Sequence, residues 1–338
     1  MRTIKLMKKA VILAAGITLI AGVCVTPAQA APIAPGLKIA IIPKAINNGY
    51  FTAWNKGAQK ACKELKAVCD YMGPTTATGP AQVPFINTAI QKKYNAIVIS
   101  AADQNAISPS LLKAQARGIK VVTSDADVTN TKARTVAVLP ASSERIGAAE
   151  VDWIAKQVNS TGKIAILSAA ATAANQNAWI EAMKRQLAAK YPKMSLAGVY
   201  YGDDDATKSA QQFNQIMTEH PDVVGIISPT TVGIRAAAQE KKSKGTNVAI
   251  TGLGLPSEMA PYVLDGTVTE FGLWNPIDLG YVAVYAAANA AAGNLVQKVG
   301  ASFTAGTKNY TEIAGGVVYL GDPYTFNKSN IATFAKIY

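Results

Sequence analysis

A repeated rhythm of short apolar runs and helical stretches constrains this chain more than any other feature. Leu37–Pro43, Asn95–Ser100 and Ile119–Thr123 are each brief and continuously apolar, as parallel strands buried on both faces are. Trp54, Ala58, Ala61 and Leu65 recur at helical spacing, and Val68–Tyr71 reads as the next strand. Ser108–Arg117 reads as a helix closed by Gly118. The rhythm then restarts. Strands are expected at Gly162–Ser168, Leu196–Tyr201, Val223–Ser228 and Val248–Gly252, with helices at Asn177–Lys190, Asp205–Thr218 and Gly233–Lys244. Parallel strands need helical crossovers, so the order predicts the α/β class with two doubly wound parallel-sheet lobes.

The chain has 338 residues, too many for one typical core. No long linker separates the two runs of strands. The join falls near Ala137–Ser143, and a return crossing is expected near Glu270–Asn275. The alanine-rich stretch Ile277–Ala292 reads as a helix packing back on the first lobe. The expected division is 31–138 with 275–312 for one lobe and 139–274 with 313–338 for the other. A chain that crosses more than once makes a hinge rather than a tether.

The N-terminus speaks to location. Arg2, Lys5, Lys8 and Lys9 precede the uncharged apolar stretch Ala10–Val25, and Ala28-Gln29-Ala30 offers a small-x-small cleavage pattern. Residues 1–30 read as a cleavable signal peptide, which places the protein in the periplasm. The apolar stretch falls short of the roughly 20 residues a membrane-spanning helix needs. Cys24 follows Val23, a poor fit to the small residue a lipidation site requires.

The formal charge is +12, of which residues 1–30 supply four cations and no acids. The remaining Lys and Arg are scattered. Lys241, Lys242 and Lys244 form the densest cluster and read as a solvated helix end, so no nucleic-acid partner is expected. Cys62 and Cys69 would stand about 10 Å apart on one continuous helix, too far for a disulfide. If the helix ends near Leu65–Lys66, a bridge across the helix-to-strand turn becomes feasible, and spacing alone leaves both readings open. Two cysteines without a nearby His do not make a zinc site.

In open α/β sheets ligands bind beyond the carboxyl ends of strands. Lys44, Asn47, Asn48, Tyr50, Phe51 and Trp54 follow the first strand, and Asp125 and Asp127 follow Ile119–Thr123. Asn175, Gln176 and Trp179 follow Gly162–Ser168, while Pro229 and Thr231 follow Val223–Ser228. Glu270, Phe271, Trp274 and Asn275 occupy the crossing. Amides and carboxylates pair with hydroxyls, and aromatic faces cover the C–H faces of a ring. The set therefore suits a sugar-like ligand. Each of these residues also has a plain structural alternative: turn or helix caps for Asp125, Asp127, Asn175 and Gln176, and core for Phe51, Trp54 and Trp179.

Catalysis finds little support. The single histidine, His220, precedes Pro221 at a helix end, so no Ser/His/Asp set exists. Gly252-Leu253-Gly254 is an incomplete dinucleotide fingerprint. Asp203, Asp204 and Asp205 precede a helix, where acids favour the N-terminal dipole, and are read as capping rather than as a calcium site. No enzyme activity, cofactor or metal is expected.

Several motifs then converge on one family. They are Ile42-Pro43-Lys44 with Gly49-Tyr50-Phe51, and Asp205-Ala206-Thr207-Lys208-Ser209. Pro261-Tyr262-Val263 is followed by Gly266-Thr267-Val268 and Glu270-Phe271-Gly272-Leu273-Trp274, and Phe326-Asn327-Lys328 by Asn330-Ile331. In these the chain resembles the type I periplasmic solute-binding proteins of sugar ABC importers, in the branch holding autoinducer-2-binding and rhamnose-binding proteins. The resemblance implies two lobes that close on one ligand and deliver it to an inner-membrane permease. It also implies a protein that works as a monomer; a chemoreceptor is an alternative recipient. Lys44, Asp125, Gln176, Pro229 and Trp274 match the autoinducer-2 site of that branch. Asn175 stands where the family has Asp, Thr231 replaces an alanine, and Asn275 replaces an aspartate. Because amides donate as well as accept, those departures favour a pentose, deoxyhexose or polyol over autoinducer-2.

Overall fold

The computed structural model describes residues 31–338; the expected signal peptide, with Cys24, lies outside the described residues. The first run comprises β1 (Lys38–Ile42), α1 (Gly49–Glu64), β2 (Val68–Tyr71), α2 (Gly79–Gln91), β3 (Ala96–Ile99), α3 (Ser108–Ala116), β4 (Lys120–Ser124) and β5 (Val136–Leu139). The second comprises α4 (Ser143–Gln157), β6 (Gly162–Ser168), α5 (Ala174–Lys190), β7 (Met194–Tyr201), α6 (Ala206–Glu219), β8 (Val223–Ser228), α7 (Thr231–Lys244), β9 (Ala249–Gly252), α8 (Pro256–Leu264) and β10 (Glu270–Leu273). The chain finishes with α9 (Pro276–Ala291), β11 (Ser302–Ala305), β12 (Lys308–Thr311), β13 (Val317–Tyr319), β14 (Tyr324–Asn327) and α10 (Ile331–Phe334).

Two parallel sheets result, ordered β2-β1-β3-β4-β5-β13 and β7-β6-β8-β9. Their central strands are fully buried: Ile39–Ile42, Ala96–Ile99 and Ile164–Leu167 expose nothing. That burial explains why these strands read as unbroken apolar runs rather than alternating ones. The antiparallel pair β10–β14 joins the edge of the second sheet through a bridge between Leu253 and Gly272.

The chain passes between the sheets three times, at 140–142, 274–275 and 320–323. The third lies beyond residues 312–313. Val317–Tyr319 pairs with Ala137–Leu139 and extends the first sheet, so the final return comes after it. This short strand has too few residues to announce itself by pattern. Helix α9 packs on α1, as expected of the alanine-rich stretch. A Cβ at Gly57 would lie 1.7 Å from the Ile277 carbonyl oxygen, and one at Gly280 would lie 2.0 Å from that of Trp54, so the two backbones touch.

The turn after α1 also settles the cysteines. Leu65 caps the helix and Lys66 takes a left-handed φ of 53°, which swings the chain into β2. Cys62 and Cys69 come to a Cα separation of 6.2 Å and are joined in a disulfide. His220 is the C-terminal cap of α6, with its ring edge-on to Tyr200. Lys242 and Lys244, at the end of α7, pair with Asp265 and Glu240, as a solvated helix end does. Among the described residues no helix is long and apolar enough to cross a membrane.

Candidate functional site

The carboxyl ends of the two sheets face a cavity holding about 380 Å³ of atom-free space. Lys44, directly after β1, enters it from the first sheet and is 5% exposed. Its Nζ donates to Asn175 Oδ1 at 3.1 Å, across to the start of α5, and lies 4.0 Å from Asp125 Oδ2. A buried ammonium between an amide oxygen and a carboxylate is favourable only because both partners replace its lost water.

Asp125 follows β4 with a φ of 68°, a conformation Asp tolerates better than most residues. Tyr50 Oη donates to its Oδ1 and Ser100 Oγ to its Oδ2, each at 2.8 Å. Trp274 Nε1 in turn donates to Tyr50 Oη at 2.7 Å. The relay ties the 274–275 passage to the first helix and to the end of β4. Burial, reinforced by the Asp125 charge, pushes the Tyr50 phenol well above its ordinary range, so it remains a donor.

The second half supplies the opposite wall. Gln176 Oε1 accepts from Ser168 Oγ at 2.7 Å and from the Ala169 amide at 2.8 Å, which fixes the side chain and turns its NH₂ group free of protein acceptors. Thr230 caps α7, and its hydroxyl donates to the Asp204 carboxylate. Burial raises the Asp204 carboxyl above its usual range, while the Lys44 charge and the Thr230 hydrogen bond hold it down. Phe51, Trp179 and Trp274 supply the aromatic walls, with Trp179 and Trp274 at 5.7 Å between ring centres.

Eleven of the residues selected from sequence line this cavity: Lys44, Asn48, Tyr50, Phe51, Asp125, Asn175, Gln176, Trp179, Pro229, Thr231 and Trp274. Asn48 also keeps its structural task, capping α1 by accepting from the Tyr50 amide. Other selected residues are drawn elsewhere. Asp127 is saturated by Arg134 Nε and Nη2, the Thr123 hydroxyl and the Val128 amide, and lines an adjoining cavity. Asn275 caps α9, accepting from the amides of Ile277 and Asp278. Trp54 is core, its Nε1 bonded to Ser124 Oγ. Asp204 was read as a cap, yet Asp205 performs that role by accepting from the Lys208 amide. A left-handed φ of 52° instead places Asp204 on the cavity wall. Three consecutive acids gave no means of telling which one caps.

Residues 39–295 match the family model of the periplasmic binding protein domain. The chain belongs to that family. A solute-binding protein of an ABC transporter from Clostridium phytofermentas, solved with bound L-rhamnose, is 38% identical, with a TM-score of 0.87. That match covers 90% of this chain and all of the other. LsrB from Clostridium saccharobutylicum, solved in complex with AI-2, is 28% identical with a TM-score of 0.84, over 88% of this chain and 99% of that one. The ribose import binding protein of Bacillus subtilis is 24% identical over 307 residues, 86% of this chain and 96% of that protein. The fold is accordingly the two-lobed α/β architecture of type I periplasmic binding proteins, and the cavity occupies the position between its lobes.

Proposed function

We propose that this sugar-binding protein of the ABC-importer type captures one deoxyhexose, pentose or polyol between its sheets and presents it to an inner-membrane permease. The cavity's polar composition carries the reading. Lys44 and the NH₂ groups of Asn175 and Gln176 donate, Asp125 and Asp204 accept, and Trp179, Trp274 and Phe51 cover apolar faces. Each sugar hydroxyl both donates and accepts, so alternating donors and acceptors around aromatic walls match a polyhydroxylated ring. The lobes are residues 31–139 with 276–319 and residues 143–273 with 324–338. They rotate about the three passages, and the Lys44–Asn175 contact forms across the gap they close. No chemical step is involved. The protein works as a monomer in the periplasm after loss of residues 1–30.

The AI-2 complex of LsrB supports a second reading, uptake of autoinducer-2 or its presentation to a chemoreceptor. Asn175 and Thr231 argue against it. A thermal-shift screen of refolded residues 31–338 separates the two. L-rhamnose, D-ribose, D-arabinose, pentitols and autoinducer-2 are each added at about a thousandfold excess over Kd, where a true ligand raises Tm by about 5–10 °C. A shift with a sugar or polyol is the expected result. A shift with autoinducer-2 alone would replace this reading with the second.

A further inference from the structure

We propose that the pole of the first sheet at its strand N-termini is a docking surface for an anionic lipid bilayer. Residues 31–142 and 276–320 hold 15 Lys and Arg against 7 Asp and Glu, whereas the rest of 31–338 holds 14 against 14. The whole excess charge of the described chain therefore belongs to one half.

The fold concentrates it further. Parallel strands alternate with antiparallel helices, so the starts of β1, β3 and β4 and the ends of α1, α2, α3 and α9 share one pole. Lys38, Lys66, Lys93, Lys113, Arg117 and Lys120 all lie there and are exposed. Lys93, Lys113, Arg117 and Lys120 rim an open crevice. Among the described residues none of the six makes an ion pair, whereas the ion pairs of this half, Lys44–Asp125 and Arg134–Asp127, are internal. Glu64 and Asp70 accept from the hydroxyls of Tyr281, Tyr285 and Tyr94 and keep their charge, which still leaves the six cations in excess.

Helix capping explains part of this set, since cations complement helix C-termini. It does not explain Lys38 and Lys120, which begin strands. Lys66 and Lys93 directly follow the caps of α1 and α2, each at a φ of 53°, a left-handed position where glycine is the relaxed choice. The chain keeps a cation at both places despite the conformational cost.

Exposed apolar tips at this pole favour a bilayer over a soluble polyanion. Val68, paired with Lys38 between β1 and β2, is 51% exposed, and Val296 and Val299, in the segment that follows α9, are 56% and 65% exposed, a mix of charge and apolar tips that suits a headgroup interface.

The test is flotation of residues 31–338 with vesicles of phosphatidylglycerol and phosphatidylcholine, or of phosphatidylcholine alone. The account expects partition onto the anionic vesicles that falls steeply between 50 and 300 mM salt, conditions chosen to span about a twofold change in screening length. Each lost cation should weaken it about fivefold. Lys66→Gly with Lys93→Gly relieves the backbone while removing two charges, so roughly a 25-fold loss is expected with folding intact. Lys163→Gln with Lys208→Gln, on the other half, should change nothing. Three outcomes would overturn the proposal: equal partition onto neutral vesicles, a titration showing that inorganic phosphate binds without vesicle partition, or binding to polyglutamate but not to lipid.

Discussion

Replacing Tyr50 with Phe tests whether the relay beneath the cavity holds the ligand-free site together. The substitution keeps the ring, which packs edge-on to Phe51 at 5.1 Å and to Trp274 at 6.2 Å, and removes one oxygen. That oxygen serves two buried partners, accepting from Trp274 Nε1 and donating to Asp125 Oδ1. Trp274 and Asp125 are 4% and 6% exposed, so water does not readily replace what is lost. A buried group stripped of its partner costs about 1–3 kcal/mol, with a charged acceptor towards the top of that range. Phenylalanine no longer buries a hydroxyl, which offsets part of the sum. The expected net loss is about 2–4 kcal/mol, or about 4–8 °C in Tm for a chain of this size. Urea unfolding of the ligand-free protein reads it directly, with an unchanged m-value showing that both end states are preserved. Ser100→Ala, which removes a single donor from Asp125 Oδ2, should cost less. A Tyr50→Phe loss under about 0.5 kcal/mol would refute the reasoning, because it would mean that neither partner depends on the hydroxyl.

Glu150 offers a gain. It is fully buried in α4, and neither carboxyl oxygen has a hydrogen-bond partner among the described residues. Burial holds this carboxyl well above the usual range. A raised acid contributes its full stability below its unfolded value near pH 4.5 and loses it as pH rises towards the folded value. Glu150→Met should therefore stabilise the protein by about 1–3 kcal/mol at pH 7, by an amount that shrinks near pH 4. A lower Tm at pH 7 would mean those oxygens are satisfied after all. The Cys62–Cys69 disulfide closes a short loop, and Cys62→Ser with Cys69→Ser should cost about 2–3 kcal/mol without changing ligand preference. A urea midpoint indifferent to the double substitution would contradict that.

Much of the fold was legible because buried parallel strands leave unbroken apolar runs, and β6 and β8 coincide with the runs that announced them. Helices α2 and α8 were not legible. Each carries two prolines, one in the first turn, which tolerates it (Pro80, Pro256), and one inside the helix (Pro84, Pro261), and the pair reads as a break. Strands β11 to β14 are too short to show a period. At the site, position after a strand found most of the cavity wall. It could not distinguish Asp125 from Asp127, two residues apart, because the outcome depends on the distant Arg134. Nor could it show that Asn275 would cap a helix or that Asp204 would turn inward, since backbone angles decide both.

Capture of a sugar in this cavity is open to direct measurement. Isothermal titration of refolded residues 31–338, with the deoxyhexose or pentose that gives the largest thermal shift, tests it most directly. The account predicts one site per chain, at least tenfold weaker in Lys44→Met and in Asp204→Asn. Affinity should be unchanged in Asn275→Asp, which keeps its helix cap outside the cavity. Undiminished binding in both cavity variants, or no heat with any sugar or polyol, would contradict it.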